Sequence, residues 1–193
     1  MQAKIKHIVD IQIGYQFRGR IEPISGGTHQ VIQIKDFDDD RKLDVSGLYK
    51  VIPDRSPKRY LVSKGDILFL SRGQKNFAFP IKLFLKSTIA ASYFFILKLK
   101  TENVLPEYLA WYINQRTAQN YLHSIARRGS HMPMVPKSAF EQLKVDLPSL
   151  VIQEKIVKLD GLREKEQSLI NNLKKKRGLL VQSVCLKAAR HKS

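Results

Sequence analysis

Over the first hundred positions the apolar residues fall in short runs, alternating or continuous, separated by turn residues, a texture that predicts strands. The runs at 8–13, 30–34, 59–62, 66–70, 76–80 and 93–99 are the candidates. Between them lie Gly19, the pair Gly26 and Gly27, an acidic turn at 36–40 and a stretch from Pro53 to Pro57. The turns Ser63-Lys64-Gly65-Asp66 and Ser71-Arg72-Gly73-Gln74 bracket the most apolar of these runs. A compact, strand-rich module is expected.

The texture changes at Pro106, a residue suited to a first helical turn. From there Tyr108, Leu109, Tyr112, Ile113, Tyr121, Leu122 and Ile125 recur at helical spacing, which predicts one amphipathic helix lying on the sheet. It is expected to end at Arg127-Arg128-Gly129-Ser130-His131, with the glycine as C-cap and the arginines at the negative helix end. Ser138-Ala139-Phe140-Glu141 reads as a capping box opening one short turn of helix. Leu143, Val145 and Leu147 then alternate with polar residues, as a last strand does.

After Pro148 there is no further proline, and one helical pattern runs from Leu150 to about Ala189. At about 1.5 Å per residue the helix is roughly 60 Å long, well beyond the mean globular helix, and needs a partner along its length. Heptad position a falls on Ile152, Leu159, Glu166, Leu173, Leu180 and Lys187, and position d on Leu162, Leu169, Lys176 and Ser183. Two charges, Glu166 and Lys176, interrupt the seam.

Those interruptions point to a register. In two antiparallel copies crossing with the two-fold axis at Asn171, Leu169 faces Leu173, Leu162 faces Leu180, Leu159 faces Ser183, and Glu166 faces Lys176. A slip of one heptad leaves Leu159 against Lys176 or Glu166 against Ser183. The helix is thus self-complementary in one antiparallel register, as an isologous dimer interface requires. Ile156, Ile170, Leu179 and Val184 flank this seam and offer a surface to a third helix.

Charge adds a partner class. The 193 residues carry 34 Lys+Arg against 17 Asp+Glu, a formal net charge of +17 and a pI near 10.0. With 43% hydrophobic residues the chain has enough apolar material for a core, which excludes a disordered basic tail. An excess this large asks for a polyanion, nucleic acid before a membrane surface, because each phosphate neutralised by Lys or Arg releases counterions. Part of the excess sits on the long helix, where residues 163–193 hold nine basic and two acidic residues. The single cysteine, Cys185, forms no internal disulfide, and no apolar run approaches the roughly 18 residues of a membrane helix. The N-terminus has no signal-peptide h-region. A soluble, cytoplasmic protein is expected.

The informative basic residues are arginines beside glycines at strand ends: Arg18-Gly19-Arg20, Arg72-Gly73-Gln74-Lys75 and Arg127-Arg128-Gly129-Ser130-His131. Glycine lets the backbone approach a phosphate; Arg can pair twice with guanine O6 and N7, and Gln can do so with adenine. Each cluster alone is equally an ordinary solvated turn; three together favour recognition loops. In Ser25-Gly26-Gly27-Thr28 the backbone N–H groups of Gly27 and Thr28 are candidates to cradle a phosphate, although a plain turn is the commoner meaning. Lys137 completes the candidate DNA contacts: Arg18, Arg20, Gly27, Thr28, Arg72, Gln74, Lys75, Arg127, Arg128, Ser130, His131 and Lys137. The run Lys174 to Arg177 reads first as a solvated helix face. Tyr15, Phe17, Phe77 and Phe79 lie near the basic loops; core packing is favoured for them over base stacking.

Chemistry is not evident. The five histidines show no metal-ligand spacing, and the only dense carboxylates, Asp38, Asp39, Asp40 and Asp44, lack the pattern of a two-metal nuclease. No GxGxxG loop or Walker lysine is present. No cofactor, no metal and no catalytic residue is assigned, and a binding protein is favoured over an enzyme.

Three stretches together resemble a known family: LVSKGDILFLSRG from Leu61, LPEYLAWYINQRTAQNYLHSIARRGS from Leu105, and MVPKSAFEQLKVDLPSLVIQEKIV from Met134. They are similar to the specificity subunits of Type I restriction-modification systems, which carry a GDIL…RG strand and turn, a P-x-YL helix and a passage L-x-[IV]-x-LP-x-L-x-x-Q-x-x-I into a long helix. Here that passage is Leu143, Val145, Leu147, Pro148, Leu150, Gln153 and Ile156. The GGT turn at Gly26 to Thr28 resembles the family more weakly.

The resemblance implies an α+β fold: a target-recognition domain over residues 1–148 with packed helices, then a long spacer and dimerisation helix over 149–193. It implies a non-catalytic reader of double-stranded DNA that directs a methyltransferase subunit, and through it a restriction subunit, to a bipartite site. Such subunits usually carry two recognition domains and two antiparallel helices; this chain has one of each, so a homodimer paired through Ile152, Leu159, Leu162, Glu166, Leu169, Leu173, Lys176 and Leu180 rebuilds the pattern. The alternative is a stand-alone DNA- or RNA-binding protein with a dimerising helix.

Overall fold

The computed structural model describes residues 1–38, 40–73, 75–126 and 133–190. They divide into two units, 1–153 and 154–193, and the fold is α+β.

The first unit opens with β1 (Gln2–Lys4), a single turn α1 (Ile5–Ile8) and β2 (Val9–Ile13). Next come β3 (His29–Ile32), β4 (Tyr49–Val51), β5 (Ile67–Leu70), β6 (Ala78–Pro80), β7 (Thr88–Ala90) and β8 (Phe94–Leu99). A four-stranded antiparallel sheet has the order β2-β8-β5-β6, with Val9 opposite Leu99 and Ile67 opposite both Leu97 and Pro80. A second sheet, β4-β3-β7, pairs β3 antiparallel to β4 and parallel to β7.

Strand alternation decides how these layers meet. Leu68, Leu70, Phe94 and Ile96 project from one face of the first sheet and bury with Ile32, Leu48, Val62 and Ala90. Phe69 and Phe95 project from the other, where Phe140 covers them with ring centroids 4.4 and 5.7 Å away. Phe140 belongs to α4 (Lys137–Phe140), which leads to β9 (Lys144–Asp146), and β9 pairs antiparallel with β1.

The helix expected from Pro106 onward is two helices, α2 (Pro106–Ile113) and α3 (Arg116–Ile125). The break has a physical cause at Asn114. Its side-chain amide imitates a strand neighbour, accepting from the Ala78 N–H and donating to the Ala78 carbonyl, both at 2.8 Å, and so holds the helix end on β6. The expected C-cap Gly129 lies outside the described residues. The capping box at Ser138 is also corrected: the N-cap is Pro136, two residues earlier, with no side-chain cap.

Among the strands, the expected run 59–62 is a 3-10 turn (Lys58–Tyr60) followed by a bridge from Leu61 to Ile89. β1, β4 and β7 are three residues each and carry too short an alternation to stand out. Tyr15 and Phe77 are buried, and Phe17 and Phe79 pack partly buried on the core, as expected.

The last helix, α5 (Leu150–Arg190), is continuous for 41 residues. Its first turn belongs to the globular unit through Gln153, which is fully buried. The Gln153 amide accepts from the Leu105 N–H at 3.0 Å and donates to the carbonyls of Asn103 and Pro148, both at 2.9 Å. Past residue 153, Ile156 and Val157 are half-buried, and beyond them the large apolar positions of the helix are exposed, from 39% at Ile170 to 70% at Leu159.

Candidate nucleic-acid interface

In the antiparallel order β2-β8-β5-β6, the C-terminal ends of β2 and β5 and the N-terminal ends of β8 and β6 share one end of the sheet. The loop carrying Arg18 and Arg20 leaves β2 there, and the Arg72 to Lys75 turn joins β5 to β6 there.

Hydrogen bonds tie the segments together. Past β2, the Tyr15 N–H donates to the Ala90 carbonyl at 2.7 Å. This close approach requires glycine at position 14, where a Cβ would sit 2.3 Å from the Ala91 carbonyl oxygen. The Ser71 N–H donates to Tyr93 at 2.9 Å, the Val135 N–H donates to Ser71 at 2.8 Å, and the Gly73 N–H donates to Pro133 at 2.9 Å. Arg72 is bridged antiparallel to Met134. Gly73 has φ +123°, a conformation open to glycine and strained for other residues. The result is a two-stranded lip in which the second basic cluster pairs with the chain that immediately follows the third. Gln74, Arg127, Arg128, Ser130 and His131 themselves lie outside the described residues.

The arginines here rest on aromatic rings. The Arg72 guanidinium lies 5.9 Å from the Tyr93 ring centre, and that of Arg55 lies 5.0 Å from Tyr15 and 5.5 Å from Tyr60, within cation–π range. Tyr15 is buried; its hydroxyl donates to Asp54 and accepts from the Arg55 N–H at 3.1 Å. Burial first, then the neighbouring Asp54 carboxylate, pushes the Tyr15 phenol up. The Tyr15 hydrogen bond, helped by Arg18, holds the Asp54 carboxyl below the usual carboxylate range. Arg18 reaches Asp54 at 3.3 Å while staying exposed, and Arg20 and Lys75 are exposed as well. Exposed guanidinium groups steered by fixed rings and a carboxylate are suited to donate to phosphates and to base edges.

Other expected contacts fall elsewhere. Gly27 and Thr28 lie at the start of β3, away from its Ile32 end, which neighbours Ala90 and Ala91. A Cβ on Gly27 would sit 2.6 Å from the backbone of Lys50 and Val51, so glycine here serves packing against β4. The Gly27 N–H donates to Ile24 at 3.0 Å, and Thr28 Oγ1 hydrogen-bonds His29 Nδ1 at 2.9 Å, so the Gly27 N–H and the Thr28 hydroxyl have intramolecular partners. Lys137 sits at the start of α4, 3.8 Å from Glu141 in an i,i+4 pair.

Sequence reasoning passed over Arg55, Lys58 and Arg59, all exposed, on the loop that wraps Tyr15. The signal was present, two arginines and a lysine around Pro57, but a proline stretch reads as a turn before it reads as a site. Among the described residues no group of three His, Cys, Asp or Glu is placed to hold a metal ion, and no described helix is long and apolar enough to cross a membrane.

Along α5 the proposed seam positions are all exposed on the single chain: Ile152 at 48%, Leu159 at 70%, Leu162 at 58%, Leu169 at 60%, Leu173 at 68% and Leu180 at 65%. Glu166 and Lys176 are exposed too.

Comparison with known proteins supplies a frame for this geometry. Residues 1–176 match the family model for the Type I restriction modification DNA specificity domain. No curated protein matches the chain. Among solved structures, the fold is similar to the S subunit of a Type I restriction-modification system from M. genitalium, at TM-score 0.58 and 13% identity, covering 93% of this chain and 43% of that one. It is similar to the HsdS subunit from Thermoanaerobacter tengcongensis, at TM-score 0.64 and 17% identity, covering 95% of this chain and 47% of that one. A third match, at TM-score 0.67 and 18% identity, comes from a structure addressing complex assembly and conformational transition of the type I R-M system, and covers 97% of this chain and 49% of that one. The chain therefore spans about half the length of the solved structures it matches.

Proposed function

Given that the chain belongs to the Type I restriction-modification DNA specificity family, we propose that it reads double-stranded DNA by sequence and delivers a methyltransferase subunit, and with it a restriction subunit, to a bipartite target. The observation that carries this reading is that the loops bearing Arg18, Arg20, Arg72 and Lys75 leave the same end of a rigid sheet, where residues can change without disturbing the core. In this reading residues 1–148 recognise DNA, with Gln74, Arg127, Arg128, Ser130 and His131 adding contacts, and residues 149–193 set the spacing. Methylation chemistry belongs to the partner, and the chain contributes no catalytic group.

The long helix gives the bipartite character. Its exposed seam is self-complementary about Asn171, with Glu166 facing Lys176, so two copies in antiparallel array present two reading domains related by a two-fold axis. The expected target is two identical inverted half-sites separated by a fixed spacer.

Selection of duplexes from a random pool by the protein co-purified with its methyltransferase subunit tests this. Enrichment of inverted half-sites at one spacing is the expected result. An asymmetric target overturns the symmetric dimer, and absence of any enrichment overturns sequence-specific reading.

A further inference from the structure

A second cationic surface lies along β2, away from the lip. It is an open cleft of about 590 Å³, lined by five cations, Lys6, Arg59, Lys98, Lys100 and Lys137, and two carboxylates, Asp10 and Glu141. These groups come from four separate parts of the fold: α1, the 3-10 turn at Lys58–Tyr60, the β2-β8 pair with the residue after β8, and α4. Convergence from so many elements gives the cleft a fixed shape.

The charges within it are unequally satisfied. Lys100 pairs with Asp10 at 2.9 Å, Lys137 with Glu141 at 3.8 Å, and Lys98 with Asp66 at 2.7 Å. Lys6 and Arg59 have no carboxylate within 4 Å among the described residues. The paired lysines are held in place and neutralised by their partners, so the net positive charge of the cleft rests on Lys6 and Arg59, which are exposed and free to take an anion.

The cleft also shares its bordering strand with the loop that carries Arg18 and Arg20. Arg18 pairs with Asp54, Arg55 lies over Tyr15, and Arg59 lines the cleft, so the single stretch 54–59 links the Arg18 loop to the cleft along the chain. β2, whose end launches the reading loop, lines the cleft with Val9 to Gln12. Val9 to Ile13 spans four residue steps, about 13 Å at roughly 3.3 Å each. That is close to the width of the DNA major groove, about 12 Å. A duplex whose major groove faces the Ile13 end of β2 would thus carry one bordering phosphate strand to the Val9 end of the cleft.

The geometry points to this cleft as a phosphate-backbone site for duplex DNA, with Lys6 and Arg59 as the contacting groups and the paired Lys98, Lys100 and Lys137 shaping its walls. It supplies affinity without reading sequence. The assignment rests on the chain's being a DNA reader, as proposed above.

The test is the salt dependence of binding to a random-sequence duplex and to a selected target, by fluorescence anisotropy over a potassium chloride series, for the native chain and for Lys6→Ala/Arg59→Ala. With two phosphate contacts removed, the slope of log K against log salt falls in magnitude by about 1.8, at about 0.9 per contact. The loss is equal for both duplexes, so their affinity ratio is unchanged. Lys6→Arg/Arg59→Lys, which keeps both charges, retains the native slope. Inorganic phosphate titrated at constant ionic strength leaves the DNA bound. An unchanged slope in the alanine variant, while the native chain still prefers its target, overturns the cleft assignment alone. A lowered affinity ratio overturns its sequence independence, and displacement by millimolar phosphate makes it a site for the free anion. If the native chain binds neither duplex, the DNA-reading function falls, and the cleft with it.

Discussion

The two units of this chain treat the same residue types in opposite ways. In residues 1–153, Phe69, Phe94, Ile96, Leu122 and Phe140 are fully buried, covered by other residues of the same unit. Within 154–190, Leu159, Leu162, Leu169, Leu173 and Leu180 are 58–70% exposed at heptad spacing. An apolar stripe of this length left facing water is the mark of an interface. The first unit is thus a finished core, and the second presents a surface for association.

The largest expected effect separates them directly. Phe140→Ala removes the ring that covers Phe69 and Phe95 and costs about 3–5 kcal/mol of unfolding free energy in a denaturant titration. Leu169→Ala, a comparable truncation at 60% exposure, shifts that transition by less than about 0.5 kcal/mol and instead weakens self-association in sedimentation equilibrium. A loss of domain stability in Leu169→Ala equal to that in Phe140→Ala would break the comparison.

Next in size is Gln153→Leu, at the residue where the buried unit ends. The substitution leaves the Leu105 N–H and the carbonyls of Asn103 and Pro148 without their partner, and an unsatisfied buried group costs about 1–3 kcal/mol. A drop of about 3 kcal/mol in domain stability is expected. A change under about 0.5 kcal/mol would show that the first turn of α5 is not part of the core.

These two positions also show how far the sequence was legible. The long helix and the apolar strand at 67–70 carry their periodicity over enough residues to be read directly, and the family motif marked Gln153 without revealing its work. The split between α2 and α3 was not readable, because Asn114 breaks the helix by bonding Ala78, a partner 36 positions away. The packing reason for glycine at position 27, a 2.6 Å approach to the backbone of Lys50 and Val51, is not legible in a glycine-rich turn because those neighbours lie over twenty positions away. The candidate contacts at Arg18 and Arg72 were legible as arginine-glycine pairs. That both leave one end of one sheet is a property of strand order, which local pattern does not contain.

Within the finished core, the lip should respond differently from its surroundings. Arg72→Ala is expected to cost about 1–3 kcal/mol at one position of the DNA target and to relax preference there, with the unfolding transition little changed. Binding profiles over a set of single-base variants check this; uniform weakening across all variants would reassign Arg72 to a phosphate.

A smaller effect reports on burial of polar groups. The Tyr108 hydroxyl donates to the Asp146 carbonyl at 2.6 Å, and burial, with Tyr112 and Asp146 nearby, pushes its pKa up to about 12. The folded state holds this proton more tightly than the unfolded chain, whose tyrosines ionise near pH 10. Its contribution is therefore complete below about pH 10 and is lost as pH rises through about 12. Tyr108→Phe costs about 1 kcal/mol at neutral pH, for the hydrogen bond, and flattens the fall in stability over that alkaline window. An alkaline profile identical to the native one would place the titration elsewhere.

The smallest expected effect tests the helix in the one register proposed for it. About the axis at Asn171, Glu166 of each copy faces Lys176 of the other, so the dimer holds two such pairs. Exposed ion pairs contribute about 0.2–1 kcal/mol each, and like charges opposed in the same place cost a similar amount. Glu166→Lys should therefore weaken self-association by roughly 1 kcal/mol, more at low salt than at high. The second half of the test is the exchange Glu166→Lys/Lys176→Glu, which restores both pairs and should recover native association. In a register slipped by one heptad Glu166 meets Ser183, so the single reversal has little effect and the exchange recovers nothing. Recovery thus discriminates the register itself from a general effect of charge on a basic helix, while the unfolding of the globular unit stays constant throughout the series.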